Sequence, residues 1–208
     1  MKRFPNLLLL AIALAVDAAA AATPAPSFAS CFVLQPGVEL STSASHTRIE
    51  SARYDNSDVI AVSVTLSDEH GGGTVVQYHD PGTYRPIALE STGMHGLGIP
   101  AGEVRIPDAE PYPDEVARGT KVQSTGMPLE QRLLPFDATI TFVGFATIEL
   151  PLAAGPRTFE HTCHLQVSVD DARVDYWYAS GLGVIRADFA TGDGPVQSNP
   201  VTSISEGI

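Results

Sequence analysis

The chain has 208 residues, of which 24 are acidic and 12 basic, giving a formal net charge of -12. No excess of Lys or Arg is present to neutralise phosphates, which argues against nucleic acid and anionic lipid surfaces as partners. With 44% hydrophobic and 17% charged residues, the composition excludes a disordered tail and suffices for one buried core, so a single domain is expected.

Lys2 and Arg3 precede an apolar run from Leu7 to Val16, and Ala18 to Ala22 follow it. A positive start, a short apolar core and small residues at the cleavage positions are the parts of a secretory signal peptide, here residues 1–22. The apolar run is too short to span a bilayer, which needs roughly 20 such residues. No transmembrane segment is expected after cleavage, and the localisation expected is periplasmic or extracellular.

Residues 23–30 read as a short linker to Cys31. The other cysteine is Cys163. An even count in an oxidising compartment reads as a disulfide. Two alternatives stay open: a lipidated Cys31, since Phe28-Ala29-Ser30-Cys31 loosely resembles a lipoprotein box, and a redox pair, which ordinarily takes C-x-x-C spacing.

Period-two alternation recurs along the rest of the chain, and no amphipathic helical stretch interrupts it. Ile60, Val62, Val64 and Leu66 alternate with Ala61, Ser63 and Thr65. Gly71 to Gly73 then turn the chain toward Thr74 to Tyr78, a hairpin flanked by His70 and His79. Gly93 to Gly98 is glycine-rich but lacks the Lys-Ser/Thr of a phosphate loop. From Ile99 to Pro113 five Pro and Gly residues predict an irregular crossover.

Thr139 to Leu150 and a return strand from Arg157 form a further hairpin, with a bulge or bend at Gly144 where the apolar phase shifts. Strict alternation places Phe159, His161, Cys163, Leu165, Val167 and Val169 on one face and Glu160, Thr162, His164 and Gln166 on the other. His161, Cys163 and His164 are metal-type ligands, yet His164 falls on the opposite face and an oxidised Cys163 offers no thiolate, so no metal site is assigned. Asp170 and Asp171 turn the chain into Val174 to Ala179. Tyr176 to Arg186 runs aromatic residues into Gly181 and Gly183, which reads as a corner or as the wall of a groove. After Phe189 the tail, 190–208, has little apolar periodicity and is expected to be mobile. The β-rich domain is therefore bounded at 31–189.

Tyr176-Trp177-Tyr178-Ala179-Ser180-Gly181-Leu182-Gly183-Val184-Ile185-Arg186 resembles the YWYAPGVGLVR ending of the TapB-like family, secreted bacterial proteins of unknown function. Cys31 to Gly37 is similar to that family's opening YFPLQPG. Gly144 to Pro151, with Gly155, Phe159 and Cys163, resembles its central hairpin. The chain departs from the pattern at Val38, Glu39 and Leu40, where the family carries Trp and Tyr, and in the longer turn Ala153 to Arg157. The resemblance implies a curved antiparallel sheet, a half-barrel or open barrel-like fold, and no catalytic residues.

The fold class expected is thus all-β. No G-x-S-x-G elbow or H-E-x-x-H helix is present, and no catalytic residue, metal ligand or cofactor is assigned. The function expected is a non-catalytic exported domain that binds an apolar small molecule or an envelope protein in a groove lined by Phe159 and Leu165. The alternatives are a structural or interaction protein of the envelope and a hydrolase or metal enzyme. If residues 1–22 are a cleaved signal, N-terminal sequencing of exported material should begin near Thr23; a start at an acylated Cys31 would contradict this.

Overall fold

A computed structural model describes residues 26–70, 72–94, 99–106, 112–124 and 138–207. The expected signal peptide lies outside them. A 3-10 turn at Ala29–Phe32 is followed by β1 (Val38–Ser41), β2 (Ser45–Tyr54), β3 (Ser57–Leu66), β4 (Thr74–His79), β5 (Pro86–Met94) and β6 (Ile99–Arg105). Then come β7 (Lys121–Ser124), β8 (Ala138–Leu152), β9 (Gly155–Val169), β10 (Ala172–Ala179), β11 (Gly183–Thr191), β12 (Gln197–Pro200) and β13 (Ser203–Glu206).

The chain is all-β, and these strands form two antiparallel sheets that do not close into a barrel. Sheet 1 has seven strands in the order β13-β1-β2-β3-β4-β5-β6, and sheet 2 has six in the order β12-β11-β10-β9-β8-β7. Sequential neighbours pair almost throughout, as expected of hairpins joined by short turns. The turn between β2 and β3 is Asp55-Asn56, with φ of 50° and 65°. These two residue types tolerate the left-handed backbone that a two-residue hairpin turn requires. The expected β3–β4 and β8–β9 hairpins are present, and Asp170, at φ 49°, turns β9 into β10.

The main core lies between the sheets. Val38, Leu40, Ile49 and Ile60 come from sheet 1, and Leu150, Phe159, Ala179 and Ile185 from sheet 2. Burying such side chains stabilises the fold by roughly 1.5–3 kcal/mol each. His79 points to the same side as Ile60, its register partner. Its Nδ1 lies 2.9 Å from the Tyr84 carbonyl, and burial lowers its pKa from 6.5 despite that bond.

Two chain crossings tie the sheets together. Leu34 bridges to Leu182 beside the β10–β11 turn before the chain enters β1. At the other end, Val201 N donates to Ile185 O at 2.9 Å, while Thr202 N donates to Ser41 O at 2.7 Å. One continuous segment thus edges sheet 2 as β12 and sheet 1 as β13. Thr202 O also accepts from Ala153 N at 2.8 Å.

The expectation of a mobile tail over 190–208 is therefore corrected, since this segment supplies an edge strand to each sheet. Its strands pair through backbone groups and carry mostly polar side chains, so hydrophobic periodicity does not mark them. Among its described residues the one that is fully buried is Val201, 2% exposed. The expected irregular crossover is corrected in part as well: Ile99–Arg105 is the strand β6, with Pro100 near its start. An edge position suits proline, because one side of the strand needs no ladder donor. Pro107 and Pro111 lie outside the described residues.

Replacing Val201 by Ala should cost about 2 kcal/mol through lost burial and the cavity left behind. Val201→Asp should prevent folding by placing an unpaired carboxylate between the sheets. Urea unfolding followed by circular dichroism measures both; a wild-type midpoint for Val201→Asp would show that the crossing is not required.

Candidate functional site

The two faces of sheet 2 differ chemically, and two bulges set the difference. Cys163 pairs with Phe145 and Thr162 with Ala146, but the next pair is Phe159 with Ile148. Three steps along β9 thus match two along β8. His161, exposed and held at φ 56°, is the extra residue, and side-chain alternation inverts across it. Phe159 and Leu165, expected on one face, lie on opposite faces. Phe159 enters the core between the sheets, whereas Leu165 joins a second cluster on the outer face.

A second bulge between Phe142 and Gly144 adds a residue to β8, at the glycine where the phase shift was expected. Gly144 has φ 135°, a conformation open to glycine and costly for other residues. The bulge brings Phe142 and Phe145 to the Leu165 side, where their rings meet edge to face at 5.4 Å.

On this outer face, Cys31 and Cys163 form a disulfide with Cα atoms 5.9 Å apart. It pins the Ala29–Phe32 turn to β9. Phe28 packs edge-on against Phe142 and Phe32, each at 5.0 Å, and Phe32 stacks on Tyr112 at 4.1 Å. The Arg85 guanidinium covers the Tyr112 ring at 4.3 Å. Phe142, Leu165 and Tyr178 lie beneath this cap. Beyond it, Ile140, Val167, Val174 and Phe189 are successive register partners on β8, β9, β10 and β11. They make an apolar row across the sheet. The first three are half-buried and Phe189 is 42% exposed.

The inner face is polar where it leaves the core. Asp175 and Asp188 are direct cross-strand partners, 7% and 8% exposed, so their like charges would repel at close range. Each is neutralised separately. Asp175 accepts from His164 at 2.8 Å, Gln166 at 3.1 Å and Arg173 at 3.0 Å. Asp188 accepts from Arg186 Nε and Nη2 at 2.9 and 2.6 Å and from Ser198 at 2.6 Å. Burial alone would raise the pKa of Asp188, but these donors and the nearby positive charge together lower it. Trp177 stands between His164, stacked at 4.5 Å, and Arg186, 4.9 Å over its ring. Both ring faces are thereby covered.

Hydrophobic alternation does not reveal this network. Its signal is the repeat Arg-x-Asp at Arg173-Val174-Asp175 and Arg186-Ala187-Asp188, which antiparallel pairing sets side by side. Ser198 bonds to Asp188 rather than to His164, so these residues do not form a nucleophile, base and orienter in series. Of the metal-type candidates, His161 is exposed, Cys163 is oxidised and His164 is bound to Asp175. No group of three or more His, Cys, Asp or Glu side chains converges among the described residues. The His70 side chain and Gly96 to Gly98 lie outside the described set. Two open depressions of the surface lie on sheet 1, one beside Pro36, Arg53, Asp58 and Pro81, the other beside Glu39, Arg48 and Glu50. Neither touches Phe159 or Leu165.

Replacing Arg186 by Met should destabilise the fold by about 1–3 kcal/mol, the cost of a buried pair discounted for the partial exposure of Arg186. A lowered carboxylate pKa stabilises the fold above the unfolded value of 3.8, and that contribution is lost as pH falls through the folded value. Without Arg186, acid unfolding should therefore begin at higher pH. An unshifted acid limb in the variant would mean that Asp188 is held by other groups.

No family model and no curated protein matches the sequence. Among solved structures, the chain is similar to a candidate exported protein with a YmcC-like fold from Bacteroides fragilis, at 14% identity and TM-score 0.40, over 84% of this chain and 98% of that one. It is also similar to a candidate lipoprotein from Parabacteroides distasonis, at 9% identity and TM-score 0.41, over 87% of this chain and all of that one. Likeness at this distance transfers neither fold nor function.

Proposed function

We propose that this chain is an exported, non-catalytic β domain, allied to the TapB-like proteins, that binds an apolar ligand or an apolar segment of an envelope protein on the outer face of sheet 2. The observation that carries the reading is the row Ile140, Val167, Val174 and Phe189, which continues the capped cluster outward as accessible apolar surface. A contiguous apolar surface on a folded domain is the ordinary mark of a binding site. Leu165 forms the floor at the capped end of this surface, while Phe159 has no part in it. The signal-like N-terminus and the disulfide support a periplasmic or extracellular setting. A Cys31 sulfur held in that bond has no thiol for acylation, which favours the free over the lipid-anchored form.

A second reading, a structural or interaction protein of the envelope, is favoured by the cap itself. Phe28, Phe32 and Tyr112 fill the part of the face above Leu165 that a ligand would otherwise occupy.

The test is titration of the purified mature protein with a fluorescent fatty-acyl probe, alongside native mass spectrometry of exported material. Saturable binding, lost in Val174→Asp with the circular dichroism spectrum retained, is expected. An absence of both probe binding and a co-purifying apolar molecule would replace the binding reading with the structural one.

A further inference from the structure

The outer face of sheet 1 holds a tyrosine pair unlike any other among the described residues. Tyr54 on β2 and Tyr78 on β4 are separated by β3, yet their rings stack at 4.5 Å with 23° between planes. Tyr78 sits in register between Ala61 and Ala88, whose small side chains leave room for the rings to lie over the sheet. Both rings are half-buried, within reach of small solutes.

Each phenol donates to its own carboxylate. Tyr54 bonds to Glu103 Oε1, and Tyr78 to Glu90 Oε2 at 2.9 Å. Glu90 and Glu103 are direct partners on β5 and β6, so two negative charges face each other with two phenolic protons between them and the rings. Arg105 is 3.7 Å from Glu103 and 5.7 Å from the Tyr54 ring centre. The bond to Glu103, with burial, raises the pKa of Tyr54; burial, with the bond to Glu90, pushes that of Tyr78 up to about 12. Both phenols are therefore protonated at neutral pH, and each has a base already in place for its proton.

A phenol loses an electron more readily when its proton leaves to a hydrogen-bonded base in the same step. The resulting phenoxyl radical carries spin density on its ortho carbons, the positions at which stacked rings couple. We infer that Tyr54 and Tyr78 form an oxidative cross-linking site, where a haem peroxidase with hydrogen peroxide joins the two rings into an intramolecular dityrosine. Each tyrosine gives one electron to the peroxidase and one proton to its carboxylate. The two radicals form an ortho carbon-carbon bond, the hydrogen on each joined carbon shifts as a proton to its ring oxygen to restore the phenol, and the two carboxylates release the protons they accepted to solvent. Two hydrogens leave the protein in all, and one peroxide takes up two electrons and two protons to become two waters. The product is a covalent tie from β2 to β4 across β3.

Tyr176 and Tyr178 provide an internal comparison. Their rings are 6.3 Å apart and tilted by 52°, burial raises both pKa values, and among the described residues neither phenol donates to a carboxylate. This pair lacks the base and the stacked geometry.

The test treats the full chain with horseradish peroxidase and hydrogen peroxide. It reads dityrosine fluorescence in the monomer, intact mass and cross-linked peptides. A monomer lighter by two hydrogens and carrying a Tyr54–Tyr78 cross-link is expected. Tyr54→Phe and Tyr78→Phe, which keep the stacked rings, should each abolish it, whereas Tyr176→Phe should not. Glu90→Gln with Glu103→Gln should slow the reaction on the order of a hundredfold, the low end for removal of a positioned base, with near-ultraviolet circular dichroism retained. Cross-links confined to other tyrosines or to dimers, or a rate indifferent to the two Glu→Gln changes, would overturn the inference.

Discussion

The architecture depends on two consecutive amides that bond to different sheets. Val201 N belongs to the ladder of β11 and Thr202 N to that of β1. Because the peptide unit between them is planar, the crossing holds an edge of each sheet close to the other. The core between the sheets is filled by Val38 and Leu40 from one side and by Ile185 and Phe159 from the other, with Val201 at the crossing. The Leu34 bridge to Leu182 repeats the tie near the other crossing.

Given that shared core, sheet 2 must supply apolar side chains to it at one end and polar ones further out, although β8 and β9 are single long strands of fifteen residues each. A strand of strict period two cannot change which residues face the core. The bulges at His161 and near Gly144 are the physical solution, since each inserts one residue and inverts the facing of the strand beyond it. They put Phe159 with Leu150 on the inner face, and Cys163 with Phe142 on the outer one. The same inversion places His164 and Gln166 where they reach Asp175, so the polar network is a product of the bulge that feeds the core.

Much of this organisation is legible in the sequence where side-chain pattern governs it. The alternation from Ile60 to Leu66, the turn at Asp170 and Asp171, the phase shift at Gly144 and the Cys31–Cys163 bond are all of this kind. What escapes is governed by the backbone. The bulge at His161 has no glycine to mark it, and a histidine at positive φ is uncommon enough that strict alternation is the natural expectation. It is the reason the paired reading of Phe159 and Leu165 does not survive. β12 and β13 hold their places through ladder bonds and one valine, so polarity and Pro/Gly content hide them. The Arg-x-Asp repeats reveal themselves only once β10 and β11 are known to pair with Asp175 opposite Asp188.

The disulfide carries a consequence for how the chain matures. The chain has two cysteines, so only one intramolecular pairing exists and oxidation requires an electron acceptor but no isomerase. Cys31 is synthesised 132 residues before its partner, so β1 to β8 are made before the pair can form. Once paired, both sulfurs are sealed beneath Phe28, Phe32 and Tyr178, so neither oxidant nor reductant reaches them without lifting that cover. The bond is therefore protected by the same aromatic side chains that it pins to the sheet.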